Sequence, residues 1–272
     1  MPGVLYLIAT PIGNLEDMTL RGLRLLREVD VIACEDTRHT QRLLDHFAIP
    51  TPCVSYHEHN EAARAGQLVE RIENGESVAV VSDAGTPLIS DPGYRVVQAA
   101  LERGITVIPV PGASAVLAAL AGSGLPTDAF CFGGFLPPKQ GQRRKALAAW
   151  GEVEATLIFY EAPHRILETL ADVAAVLGER RIVLGRELTK LHEEFVRGRV
   201  SEVLTALSQR AAQKGEMTLL ISRERAPATV EAPVAEAVRQ LVSGGMERME
   251  AIKKVARDRG LAKREVYAAL ER

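Results

Sequence analysis

The sequence predicts two α/β domains with a cleft between them, followed by a small helix-turn-helix-like module. Three observations carry that reading. Short apolar runs alternate with amphipathic stretches along most of the 272 residues, the pattern of an α/β architecture with largely parallel strands. Nearly every predicted strand ends in small, polar or rigid residues, where open α/β sheets hold their ligands. Charge changes sign near the end of the chain, after a Pro- and Ala-rich stretch at 225–233.

The elements follow in order. Strands are expected at 4–9, 29–34, 78–82, 105–110, 155–160, 181–185 and 216–222, each a short apolar run with a β-branched bias. Helices are expected near 17–28, 37–47, 60–74, 93–103, 113–122, 142–150, 163–177 and 201–213. The Gly-, Pro- and polar-rich segment 123–142 marks a domain boundary at or just before it. The expected domains are therefore 1–115, 116–225 and a helical module at 234–272. Within the module, residues 251–270 read as helix, turn at Gly260, helix.

Composition excludes several classes. Apolar content of 47% with 25% charged residues fits a globular enzyme rather than a disordered chain. No apolar run approaches the roughly 18 residues of a membrane span. Cys34, Cys53 and Cys131 are odd in number and lack C-x-x-C spacing, so no disulfide framework or zinc ribbon is expected. With a strand starting at Val4 and no signal-like leader, the expected location is cytoplasmic, with no membrane partner. The net charge of −2 carries no global nucleic-acid signature, but residues 246–264 hold 7 basic and 3 acidic side chains.

Six loops concentrate unusual residues. They are Thr10-Pro11-Ile12-Gly13-Asn14-Leu15, Glu35-Asp36-Thr37-Arg38, the stretch Ser82 to Gly93, Pro111-Gly112-Ala113-Ser114, Tyr160-Glu161-Ala162-Pro163-His164-Arg165 and Arg186-Glu187-Leu188-Thr189-Lys190. In the third, Gly85 and Gly93 let backbone approach a ligand, and Pro87 and Pro92 stiffen the path. Asp83 and Asp91 are suited to ribose hydroxyls or to capping. A core role explains any one loop but not all six together, so a shared ligand cleft is expected. No G-x-G-x-x-G and no G-x-x-x-x-G-K-[ST] occurs, which disfavours dinucleotide and P-loop chemistry. An adenosyl ligand without phosphates fits better.

Together these loops resemble the ribosomal RNA small-subunit methyltransferase I family, within the tetrapyrrole methylase superfamily. The match runs in order from residue 4 to about 222. The first loop has one glycine, Gly13, where tetrapyrrole members carry G-x-G-x-G, as the rRNA branch does. The resemblance implies a tetrapyrrole-methylase fold, S-adenosylmethionine as methyl donor and a homodimer. It also implies 2′-O-methylation of a cytidine ribose in the decoding region of 16S rRNA, on free rRNA or the small ribosomal subunit. It assigns the donor to Pro11, Asp83, Ala84, Gly85, Thr86, Pro87, Ser114, Tyr160, Met217 and Thr218.

A ribose hydroxyl is a weak acid, so a general base is expected. Glu161, Glu187 and Lys190 are the favoured catalytic residues, because they end strands of the second half. Glu35, Asp36, His164 and Glu193 are further candidates. Arg38, His57, Arg165, Arg186, Lys253, Lys254, Arg257, Lys263 and Arg264 are the expected RNA contacts. For Arg38, Arg165 and Arg186 a salt bridge with a neighbouring Glu competes with that role. His57 and His59 lack the further ligands of a tetrahedral set, so no metal is expected. Two other functions stay open: a tetrapyrrole methyltransferase, and a nucleic-acid-binding regulator reading through the terminal helices.

Overall fold

The computed structural model describes residues 3–224, 234–258 and 261–270. Residues up to Glu224 form one compact unit, and the later described residues form a second.

Two five-stranded sheets build the first unit. β1 (Val4–Ile8), β2 (Val31–Cys34), β3 (Cys53–Ser55), β4 (Val78–Val81) and β5 (Thr106–Val110) form a wholly parallel sheet in the order β3-β2-β4-β1-β5. β2 and β4 are buried along their whole length, which is why their sequences are continuous apolar runs rather than alternating ones. Helices α1 (Leu20–Glu28), α2 (Thr37–His46), α3 (Glu61–Glu73) and α4 (Tyr94–Glu102) connect these strands. Apolar side chains gather in two clusters, one including Leu5, Val69 and Val80 and the other Ile8, Leu26 and Ile32.

The second sheet differs from the expectation of parallel strands. Its order is β6-β7-β10-β8-β9, from β6 (Phe130–Phe135), β7 (Thr156–Glu161), β8 (Arg181–Arg186), β9 (Glu194–Arg199) and β10 (Met217–Ile221). Only β6 and β7 pair in parallel. β10 inserts antiparallel between β7 and β8, and β8 pairs antiparallel with β9 through the short connection between Arg186 and Glu194. Such a short connection permits only antiparallel neighbours. Helices α6 (Gln140–Trp150), α7 (Ile166–Leu177) and α8 (Val200–Ser208) complete this half.

Helix α5 (Ala115–Ser123) joins the halves. It follows β5 yet packs on the second sheet, where Val116 and Leu120 meet Ile158, Val183 and Leu220. Ile12, from the loop after β1, enters the same cluster.

In the second unit, α9 (Val234–Ser243), α10 (Arg248–Asp258) and α11 (Lys263–Leu270) enclose Val238, Ile252, Val255 and Val266. The expected linker at 225–233 and the turn at Gly260 lie outside the described residues.

A candidate active-site cleft between two sheets

The first-half loops are stitched into one surface. Thr10 and Gly85 exchange backbone hydrogen bonds of 2.9 and 3.0 Å. The Thr10 hydroxyl donates to Ser82 O at 3.0 Å, and the Ser82 hydroxyl donates to Gly85 O at 3.0 Å. Gly85 has φ +86°, and a Cβ there would lie 3.3 Å from Ile12 Cγ2. A side chain at this point is both strained and crowded. Asp83 Oδ1 accepts from the Asp36 amide at 3.2 Å, tying the loop after β2 to the loop after β4. Ser114 caps α5, accepting from the Leu117 amide.

Opposite stand the ends of β7, β8 and β10. The two halves enclose a cavity of about 700 Å³. Of the residues expected to hold the donor, Asp83, Ala84, Gly85, Thr86, Ser114, Tyr160, Met217 and Thr218 line it. Pro11 and Pro87 do not. Pro87 is buried, and Ile12 rather than Pro11 presents its side chain to the cavity. Four of the five described non-glycine residues with positive φ, Leu88, Ser90, Glu187 and Thr189, sit in two loops that line this cavity. Strain of this kind persists where surrounding structure enforces it, commonly at working sites.

The three favoured catalytic residues all line the cavity, but their environments differ. Glu161 has a fully buried side chain. Its Oε1 accepts from the Ala162 amide and the Arg165 guanidinium, both at 2.8 Å, and its Oε2 accepts from the Thr169 hydroxyl at 2.6 Å. Both oxygens already accept hydrogen bonds, an arrangement that suits a structural anchor better than a base. Lys190 is also unsuited to take a proton. Burial works to lower its pKa, but hydrogen bonds to Glu187 and Glu216 outweigh that and hold it above the ordinary lysine value. Glu187 is held below the ordinary carboxylate range, first by the Glu216 amide and then by Lys190.

Asp91 is not among the bases the sequence favours, yet it has the suitable environment. It lines the cavity half-buried and has no hydrogen-bond partner among the described residues. Burial, with the charges of Glu35 and Asp83, pushes it up to about 6. Of the further candidates, Asp36 caps α2 through the amides of Arg38 and His39, and Glu193 accepts from the Thr189 amide. Glu35 and His164 are exposed and outside the cavity wall.

Two of the expected RNA contacts, Arg165 and Arg186, are engaged in ion pairs. Arg165 is spent on Glu161 and on Leu136 O, because a buried carboxylate needs a counter-ion. Arg186 bonds Glu194 at 3.0 Å, and Glu194 lies at about 2 because of Arg210 first and Arg186 after it. His57 is engaged locally: its amide donates to Asn60 Oδ1 at 2.9 Å, and its Nε2 lies 3.2 Å from Asn60 Nδ2. Arg38 sits on the first turn of α2, in no salt bridge among the described residues. Lys253, Lys254, Arg257, Lys263 and Arg264 are all exposed in the second unit. Among the described residues no group of three His, Cys, Asp or Glu has metal-holding geometry.

The cavity wall carries five carboxylates (Asp83, Asp91, Glu161, Glu187 and Glu216) and one cation, Lys190, already paired. Such a wall repels phosphate and accepts cationic or neutral polar ligands.

Residues 4–204 match the model of the tetrapyrrole (corrin/porphyrin) methylases. The chain is 48% identical to the ribosomal RNA small subunit methyltransferase I of Halalkalibacterium halodurans, with 97% of this chain and 93% of that one aligned. It is 46% identical to the protein of the same name from Synechocystis sp., with 97% and 96% aligned. Among solved structures, the uroporphyrin-III C-methyl transferase of Thermus thermophilus, complexed with S-adenosyl homocysteine, superposes with a TM-score of 0.55 at 21% identity. That match covers 80% of this chain and 97% of the other, and at this identity it supports the fold alone. With a family model spanning most of its length and near-full-length relatives at this identity, the chain belongs to the tetrapyrrole methylase family, in the branch of the ribosomal RNA small subunit methyltransferases I.

Proposed function

We propose that this chain transfers a methyl group from S-adenosylmethionine to a ribose 2′-hydroxyl of 16S rRNA, at a cytidine of the decoding region. The observation that carries the reading is the near-full-length identity to relatives named for small-subunit rRNA methylation. The cleft chemistry supports it. A sulfonium donor is cationic and carries no phosphate, which suits an acidic wall. Asp83 lines the cavity and suits the donor's ribose hydroxyls, Ile12 and Met217 offer apolar surface, and the Gly85 backbone admits close approach.

The donor supplies an electrophilic methyl group on sulfur. The protein's share is orientation and proton removal. Asp91 is the proposed proton acceptor: it lies in the cavity and has no competing partner among the described residues, and its pKa of about 6 sits near working pH. Glu187 and Lys190 brace the wall, with the Lys190 stem packed on Gly13 from the first half.

RNA phosphates belong outside the acidic cleft, on Arg38 and on the basic side chains of α10 and α11. A homodimer is part of the reading, supported by exposed apolar side chains such as Leu20 and Leu117. A cytoplasmic location is likewise proposed, supported by three free cysteines. No helix among the described residues is long and apolar enough to cross a membrane.

Labelled donor incubated with small ribosomal subunits, naked 16S rRNA or a corrin precursor tests the reading. Label in either RNA arm upholds it. Label only in the corrin supports a tetrapyrrole methyltransferase, and label in none removes the methyltransferase reading for these acceptors.

A further inference from the structure

Two apolar residues of the cavity wall are not among those assigned to the donor. Phe135 and Ile89 both line the cavity, and they are 58% and 42% exposed. Large apolar side chains left open at a cleft mouth are contact surfaces for a ligand. Phe135 comes from the end of β6, and Ile89 from the loop after β4, so they stand on opposite halves.

The backbone is shaped to present the Phe135 ring. In the β6–β7 pairing, Phe132 lies opposite Ile158 and Phe135 opposite Tyr160, with a register shift between them. A bulge re-aims the residues that follow it. Here it brings Phe132 and Phe135, three positions apart, onto one Tyr160 ring. The Phe132–Tyr160 centroids are 4.8 Å apart and the Phe135–Tyr160 centroids 5.6 Å. The double glycine makes this possible. A Cβ on Gly133 would strike the Phe159 ring at 2.5 Å, and Gly134 takes φ +63°. A Cβ at Gly134 would lie 3.6 Å from Ser90 Oγ, so the end of β6 and the Ile89 loop face each other at close range. The resulting aromatic column, Phe132–Tyr160–Phe135, is half-buried at its foot and open at its top. Edge and tilted contacts fix its geometry.

We propose that Phe135 and Ile89 form a nucleobase subsite, in which the Phe135 ring stacks on the unpaired base of the acceptor nucleotide and Ile89 closes the other side. This rests on the rRNA-methylation reading. Sequence-specific proteins take unstacked RNA bases onto aromatic faces, and enzymes that modify one nucleotide draw it out of its stack. The acidic wall leaves the phosphates outside, so the base and ribose enter alone. Asp91, two residues beyond Ile89 on the same loop, then lies beside the ribose.

The test compares wild type with Phe135→Leu, which keeps apolar bulk without a π face, and Phe135→Trp, which keeps the face. Acceptor KM is measured on small subunits from cells lacking this enzyme, and donor affinity by calorimetry. Binding of a short single-stranded oligoribonucleotide of decoding-region sequence is followed by fluorescence anisotropy. A base–aromatic stack predicts that Phe135→Leu raises acceptor KM and weakens oligonucleotide binding about tenfold. Donor affinity stays unchanged, and Phe135→Trp restores the wild-type values. If wild type labels subunits and Phe135→Leu matches it in KM and binding, the subsite is wrong while methyl transfer stands. Weakened donor binding with unchanged acceptor KM also overturns the subsite, making the ring a donor wall. If wild type labels no subunits, the methylation reading fails, and oligonucleotide binding still decides for or against the stack.

Discussion

The ammonium of Lys190 lies 3.0 Å from Oε1 of Glu187 and 3.2 Å from Oε2 of Glu216, and its stem packs on the backbone of Gly13. One lysine thus ties the second half of the cleft to the loop after β1. Its pKa is held above the ordinary lysine value, so it stays charged at neutral pH, which suits a brace and not a proton acceptor.

Lys190→Gln is expected to lower stability by about 1 kcal/mol at pH 7, measured by urea unfolding. Glu187 has a depressed folded pKa, so its contribution is present above its unfolded value and lost as pH falls. The gap between wild type and variant should therefore shrink below about pH 4.3. A gap that widens in acid contradicts this pairing.

Glu161→Gln should damage folding more than chemistry. The change leaves Arg165 with a neutral partner in a site where the carboxylate side chain is wholly buried. Breaking a buried pair costs about 3 kcal/mol. A large fall in melting temperature is expected, with single-turnover methylation at low temperature retained. A rate loss at native stability would make Glu161 a base after all.

Asp91→Asn should do the reverse. A raised folded pKa means that the ionised group destabilises the fold once pH passes the unfolded value near 3.9, most fully above about 6. Removing the charge should raise the melting temperature at pH 8 and leave it little changed at pH 4. The single-turnover rate of wild type should rise with pH through about 6 and then level. The variant should lack that limb and run about 100-fold slower. A variant with wild-type rate and pH profile removes Asp91 as the proton acceptor.

Cutting the chain at Thr229 should leave donor affinity intact. Lys253, Lys254, Arg257, Lys263 and Arg264 are exposed in a unit with its own core. RNA affinity should fall, and its log–log salt slope should become shallower by about 0.7 to 0.9 for each phosphate that the shortened chain no longer neutralises. An unchanged RNA slope together with abolished donor binding makes the tail part of the catalytic body.

Much of the fold was legible because buried parallel strands are continuous apolar runs, as in Val78–Val81. Three strands were not. β3 has three residues, β6 carries a double glycine within a segment that reads as a boundary, and β9 is nowhere fully buried and carries Glu194, Arg197 and Arg199. The antiparallel insertion of β10 was hidden because it depends on long-range pairing. In the cleft, the loops were legible from their glycine, proline and acid content, but the state of each acid was not. Glu161 and Glu187 read alike in sequence. Arg165 and Thr169 enclose the first, and Lys190 and the Glu216 amide hold the second. The environment of Asp91 comes from burial and from Glu35 and Asp83, residues distant in the chain or earlier in its own loop. Its one local sign was its place between Ser90 and Pro92 in a loop rich in special residues.

In the proposed reaction the cleft delivers a methyl group to a ribose oxygen. The most direct measurement is methylation of small subunits with donor labelled in its methyl group, followed by complete alkaline hydrolysis of the 16S rRNA. A 2′-O-methyl group removes the internal nucleophile of the hydrolysis and leaves an alkali-resistant dinucleotide. Label is expected in one such dinucleotide with a methylated cytidine on its 5′ side, absent when Asp91→Asn replaces wild type under the same short incubation. Label released in mononucleotides, as from a methylated base, would contradict the proposed reaction.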